Sequence, residues 1–173
     1  KNKKTFTYGR IEARIKFPGG KGTWPAFWMM GNSGNWPNCG EIDIMEHVGS
    51  IPNRASFALH TVEKNGTRGN NWHSTKMFDY SLADDFHTYA VEWAQEEKDG
   101  KDVIRFFVDG VQYAEQWETK IDNNDSWPFN KPHFIILNLA IGGTMGGSVD
   151  DAIFNVPRIM YVDYVRVYQR TEK

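Results

Sequence analysis

The chain has 173 residues, one cysteine and a formal net charge of −2. That length suits one domain with a real core, and the charge offers no electrostatic attraction to nucleic acid or an anionic membrane. Cys39 alone excludes an intrachain disulfide, and no apolar stretch approaches the ~20 residues that cross a bilayer as a helix. Neither fact fixes the compartment. Aromatic residues make up 14% of the chain, either as core of a β-rich fold or as flat platforms for a ligand with apolar faces, such as a sugar ring.

In chain order, Phe6 to Phe17 alternates as a strand, with Ile11, Ala13 and Ile15 on one face, and Pro18-Gly19-Gly20 ends it. Trp24 to Met30 reads as a buried strand, or as a short loop leading into one. Gly31 to Gly40 is a loop rich in Gly, Asn, Ser and Pro. Glu41 to Glu46 is an acid-bearing strand, and Ala55 to Val62 alternates again. Asn65 to Ser74 is polar and reads as a long loop. His87 to Ala94 and Val103 to Val108 form a hairpin pair around Glu96 to Lys101. Asp109-Gly110 is a tight-turn signal leading into Val111 to Trp117. His133 to Ile141 is a buried-strand run, Gly142 to Gly147 a flexible loop, and Met160 to Tyr168 the last strand. No segment holds a ~3.6-residue period for long, and short strands at this spacing imply an all-β sandwich or barrel.

The run Glu41-Ile42-Asp43-Ile44-Met45-Glu46 carries the chemistry. Side chains at i and i+2 of a strand share a face, so Glu41 and Asp43 point the same way and Glu46 the opposite way. One extra residue near Met45, taken up as a β-bulge, returns Glu46 to their face. Three acids on one face of a hydrophobic strand are costly unless they do chemistry or hold a metal. Two carboxyls flanking a bond are the equipment of glycoside hydrolysis, and a third acid tunes its neighbour by like-charge repulsion or a shared proton. The alternatives are a solvated strand edge, a Ca²⁺ or Mg²⁺ site and, more weakly, a two-metal phosphoryl-transfer site, for which no Lys/Arg cluster adjoins the acids.

The segments YGRIEARIKFP, GTWPAFWMMG, GEIDIMEHVG, FFVDGV and ILNLAIGG together resemble glycoside hydrolase family 16, in its laminarinase-like branch. The resemblance spans essentially the whole chain. It implies a β-jelly-roll sandwich of two antiparallel sheets with a sugar-binding cleft on the concave face. It also implies retaining endo-hydrolysis of β-1,3-glucan or mixed β-1,3/1,4-glucan. The alternatives are hydrolysis of another polysaccharide, such as an algal galactan, and a non-catalytic sugar-binding sandwich.

By position, the resemblance makes Glu41 the nucleophile, Glu46 the general acid/base and Asp43 the assisting acid. It places Trp24, Trp28, His60, Asn138 and Trp117 among substrate-binding candidates, with His60 beside Glu46. Trp127 is a candidate rim platform, and Trp36 and Trp72 candidate linings of far subsites; loop packing is the rival reading. Asp163 matches a position that often ligates a structural Ca²⁺; catalysis itself needs no cofactor. The implied partner is a β-glucan polysaccharide, with no nucleic acid and no membrane insertion. The implied location is secreted, periplasmic or cell-surface. Members usually carry further strands before YGRIEARIKFP, so the sequence reads as one catalytic domain over residues 1–173, incomplete at its N-terminus. A separate N-terminal fragment is then an expected partner. Thr144-Met145-Gly146 stands where many laminarinases have a Trp, which leaves the linkage preference open.

Overall fold

The computed structural model describes residues 1–96, 100–118 and 127–170. Ten strands are described: β1 Gly9–Lys16, β2 Thr23–Gly31, β3 Glu41–Glu46, β4 Arg54–His60, β5 Trp72–Met77, β6 His87–Gln95, β7 Asp102–Val108, β8 Val111–Trp117, β9 His133–Ile141 and β10 Tyr161–Tyr168. They form two five-stranded antiparallel sheets, ordered β5-β4-β3-β2-β9 and β10-β1-β6-β7-β8. The expected all-β sandwich is the fold. The acid strand is the centre of its sheet and not an edge, which removes the solvated-edge reading.

The alternation seen in the sequence builds the core. Ile11, Ala13 and Ile15 from one sheet meet Phe27, Met29, Ile42, Phe57 and Leu59 from the other in one buried cluster. Tyr89, Trp93, Ile104 and Phe106 complete it. Aromatic rings therefore fill much of the space between the sheets, where each buries a large apolar area.

The chain enters through both sheets. Phe6 bridges His133 at the edge of the acid-bearing sheet, and β1 then starts in the opposite one. The switch falls at Tyr8 and Gly9, with φ of 62° and 121°. A Cβ at Gly9 would stand 2.4 Å from the Tyr168 carbonyl oxygen, so the close pairing of β1 with β10 needs a glycine there. At the other end of the sheet, Asp109 (φ 49°) and Gly110 (φ 80°) make the expected tight turn between β7 and β8.

Two expectations are corrected. The segment read as a loop from Asn65 to Ser74 contains the start of β5, an edge strand whose polar sequence, WHSTKM, carries no apolar alternation. Gly142 to Gly147, read as a flexible loop, contains a hydrogen-bonded helical turn. The Gly142 N–H donates to the Gly22 carbonyl at 2.7 Å, and Gly143–Gly146 forms one helical turn packed near Trp24. The Glu96 to Lys101 connection lies partly outside the described residues.

Gly9→Ala is expected to lower stability by about 1–3 kcal/mol or more, because it adds left-handed strain to a backbone clash. Thermal unfolding checks this against Gly69→Ala, where a Cβ would meet nothing within 4 Å. Gly69 has φ 66°, within the left-handed region that other residues can adopt, whereas Gly9 at 121° lies outside it, so the difference between the two variants reports the clash together with the added backbone strain.

Candidate active site

The bulge lies where the alternation slips. On the β2 side Asp43 stands opposite Trp28 and Met45 opposite Phe27, so Ile44 has no partner. On the β4 side Asp43 faces Ala58 and Glu46 faces Ser56, so Ile44 and Met45 together oppose Phe57. Ile44 and Met45 are both fully buried in the core. Two successive inward side chains are what bring Glu46 back to the face of Glu41 and Asp43.

Strand register then arranges three rows across the sheet. Met30, Glu41 and His60 form one row, and Trp28, Asp43, Ala58 and His73 the next. Asn138, Ala26, Glu46, Ser56 and Thr75 form the third. Glu46 is flanked by the small residues Ala26 and Ser56, and Asp43 by Ala58 on one side and Trp28 on the other. Trp24 follows one step further along β2 and donates its Nε1 proton to Glu46 Oε1 at 3.0 Å. Trp28 Nε1 donates to Asn138 Oδ1 at 2.7 Å, which turns the Asn138 amide nitrogen away from the indole.

His60 lies beside Glu41 and Asp43: its Nε2 is 3.1 Å from Asp43 Oδ2 and 3.6 Å from Glu41 Oε1. Trp36, from the loop before β3, lies close enough to Glu41 to favour its anion, and its ring centre is 6.1 Å from that of His60. Trp36 thus belongs next to the acids and not at a far subsite. The sequence signalled an exposed loop Trp, and only the folding back of Gly31–Gly40 reveals where it goes, with Gly31 N–H bonded to the Gly40 carbonyl.

Burial dominates the electrostatics. Glu41 is pushed up to about 8, first by desolvation and then by the charges of Asp43 and Glu46; His60 and Trp36 oppose the shift. Asp43 is raised well above the ordinary range by desolvation and by Glu46. Glu46 is raised by desolvation, against the pull of Trp24 and His60. Three carboxyls so close in a dry setting do not all ionise at neutral pH. They share protons, so one group is available as an acid while another is an anion.

Glu41, Asp43 and His60 offer metal-ligand atoms that all lie within 4.8 Å of one another. The donor set nevertheless does not fit a metal. The Gly66 N–H donates to His60 Nδ1 at 3.0 Å. The ring proton therefore sits on Nε2, the nitrogen facing the acids, and a protonated nitrogen has no lone pair for a cation.

Three aromatic candidates are not at this site. Trp117, on β8 of the opposite sheet, donates to Glu115 Oε1 at 3.1 Å and lies under the Arg105 guanidinium, 5.5 Å from it. Trp127 donates to the buried Asp102 Oδ2 at 2.8 Å and packs edge-on against Phe129. Trp72 stacks on the core residue Phe106 with centroids 5.4 Å apart. All three pack on protein, and chain order alone did not show which sheet β8 joins. Asp163 is ion-paired with Arg14 at 2.8 Å on β1, far in register from the acids.

Two cavities among the described residues lie elsewhere. One of about 50 Å³ is lined by Leu59, Thr61 and Trp72 among others, and one of about 470 Å³ lies among Leu139, Ile141 and Phe154 to Arg158. The acids occupy an outer sheet face instead.

A two-sheet antiparallel sandwich with three proton-sharing acids and indole rings on one outer face is the architecture of a carbohydrate-processing domain. The chain belongs to glycosyl hydrolases family 16, whose model matches residues 1–162. It is 39% identical to a β-glucanase of Rhodothermus marinus over 99% of this chain and 61% of that protein. It is 36% identical to glucan endo-1,3-beta-glucosidase A1 of Niallia circulans over 98% of this chain and 25% of that protein. The chain thus spans less than two thirds of each of these relatives. Among solved structures it resembles the laminarinase catalytic domain of Thermotoga maritima at a TM-score of 0.87 and 34% identity, covering 99% of this chain and 67% of that one. SCLam, a non-specific endo-beta-1,3(4)-glucanase, also matches at 0.87, with 40% identity over 98% of this chain and 61% of that one.

A carboxyl raised on folding binds its proton more tightly in the native state, so stability falls as pH rises from the ordinary carboxyl value through about 8 for Glu41. Buried His47 and His133, both lowered to about 4, act oppositely: they add stability as pH rises from 4 towards 6.5. Comparing Glu41→Gln with the wild type removes the histidine contribution. The Tm advantage of the variant is expected to grow between pH 4.5 and 8.5; a constant difference would contradict the burial account.

Proposed function

We propose that this chain carries the machinery of a retaining endo-hydrolase of β-1,3-glucan or mixed β-1,3/1,4-glucan. The observation that carries the reading is the bulge-aligned triad of Glu41, Asp43 and Glu46 with Trp24 bonded to the last. Supporting it are relatives named beta-glucanase, glucan endo-1,3-beta-glucosidase and endo-1,3-1,4-beta-glycanase. A related structure holds 1,3-beta-D-cellobiosyl-glucose at its active site.

Glu41 acts as nucleophile. Its carboxylate oxygen forms a bond to the anomeric carbon as the glycosidic C–O bond breaks, and Glu46 gives its proton to the departing oxygen. Glu46, now an anion, takes a proton from water, whose oxygen attacks the anomeric carbon and frees Glu41. The sugar leaves with its configuration retained and the proton count is restored. Asp43, between the two, exchanges proton and charge with both, which keeps Glu41 able to ionise and Glu46 able to hold a proton. Trp24 N–H steadies the Glu46 anion between the two steps. Trp28 offers a ring face, and the Asn138 nitrogen a donor for a sugar hydroxyl.

None of these steps uses a metal. The structural Ca²⁺ expected at Asp163 would have to displace Arg14 from its carboxylate, and Ca²⁺ prefers six to eight oxygens. The Arg14 pair therefore supports a salt link at this position. Because polymeric glucan does not cross a membrane intact, the reading places the protein in a secreted, periplasmic or cell-surface setting.

One relative is named keratan-sulfate endo-1,4-beta-galactosidase, at 37% identity, which favours a galactan as the second reading. Another, at 31%, is named beta-1,3-glucan-binding protein, but a pure binder needs no proton-sharing triad. Reducing-sugar release from laminarin, barley β-glucan and agarose decides. Laminarin or barley glucan is expected to yield product, with Glu41→Gln and Glu46→Gln each about 10³-fold slower or worse. Product from agarose alone would move the protein to the galactan reading, and binding without product to the lectin-like one. Trp24→Ala is expected to lower kcat about 10²-fold, and Trp117→Ala to leave activity near wild type.

A further inference from the structure

The segment between β4 and β5 is braced from within. Asn65 is almost fully buried, and its side-chain nitrogen donates to the carbonyls of Thr61 (3.2 Å) and Val62 (3.0 Å). Its Oδ1 accepts from Arg68 N–H at 3.2 Å, and its own N–H donates to Asn70 Oδ1 at 3.1 Å. Thr61 N–H bonds the Lys64 carbonyl at 2.7 Å, and Gly69 N–H the Gly66 carbonyl at 3.1 Å. These bonds hold the Gly66 N–H against His60 Nδ1, 3.0 Å away. Position 66 also sits tight on the ring: a Cβ there would be 3.3 Å from His60 Cε1.

A neutral imidazole has one N–H and one lone pair, and the bond made by one nitrogen decides the role of the other. We infer that the Asn65–Gly69 turn is a tautomer lock: by occupying the Nδ1 lone pair, Gly66 makes His60 an Nε2–H donor to the catalytic acids. The recipient is Asp43 Oδ2, a buried oxygen 3.1 Å from Nε2 that has no aligned hydrogen bond in this structure, so a small turn of the ring or the carboxyl closes the bond. With the other tautomer, the Nε2 lone pair would face carboxylate oxygens in a dry setting and repel them. His60 is thus a positioning residue. It holds Asp43 and, at 3.6 Å, the rim of Glu41 in the geometry in which protons are shared. The role of the lock rests on the hydrolase reading above; the tautomer itself does not.

The test separates the two. In ¹⁵N-labelled protein, the His60 ring shifts are expected to show a protonated Nε2 and a bare Nδ1, with a scalar coupling between Gly66 N and His60 Nδ1. A protonated Nδ1, or equal populations of both tautomers, overturns the lock whatever the activity. In kinetics, His60→Gln places an amide N–H near the Nε2 position, whereas His60→Asn reaches only the Nδ1 position. His60→Gln is expected to keep kcat within about 10-fold of wild type, and His60→Asn to lose about 10²-fold with KM little changed. Equal losses in both variants would overturn the donor role. The predicted tautomer in a protein inactive on every glucan would instead defeat the hydrolase reading and leave the lock standing.

Discussion

One unpaired residue governs the site. A strand alternates its side chains with no freedom to choose, so acids at positions 41, 43 and 46 cannot share a face in a regular β3. The bulge at Ile44 and Met45 breaks the alternation once, and both side chains enter the core. Their burial anchors the irregularity, since straightening the strand would expel an apolar side chain and drive Glu46 into the core. The same packing that stabilises the sandwich therefore aims the carboxyls.

That arrangement puts charge where charge is costly. β3 is the central strand, with neighbours on both sides, and the acids are largely buried. Burial raises all three, the charges of neighbouring carboxylates add to the rise at Glu41 and Asp43, and a few N–H groups oppose it: Trp24 on Glu46, Trp36 and His60 on Glu41. The donors come from three different elements, β2, β4 and the loop before β3. The outcome is a set of groups poised between proton donor and anion near neutral pH, which is what a two-step displacement needs.

Much of this was legible from local pattern. The strand alternation at Ile11, Ala13 and Ile15, the Asp109-Gly110 turn and the slip within Glu41–Glu46 are all short-range signals, and each corresponds to a feature of the fold. What failed was non-local. Trp117 and Trp24 look alike in sequence, yet β8 joins the opposite sheet and β2 lies beside the acids. Trp36 reaches Glu41 only because its loop folds back. The strand β5 went unseen because an edge with polar residues on both faces has no apolar period to read. The role of Gly66 had no residue-type signal, since a backbone N–H is offered by every residue but proline.

The central claim is that the bulge places Glu41 as nucleophile on the face it shares with Glu46. The direct measurement is covalent trapping with a 2-deoxy-2-fluoro glucan oligosaccharide bearing an activated leaving group, followed by peptide mass mapping. The account predicts a stoichiometric glycosyl label on Glu41. A label on Glu46, or rapid turnover of the activated substrate with inversion and no label on the protein, would contradict it.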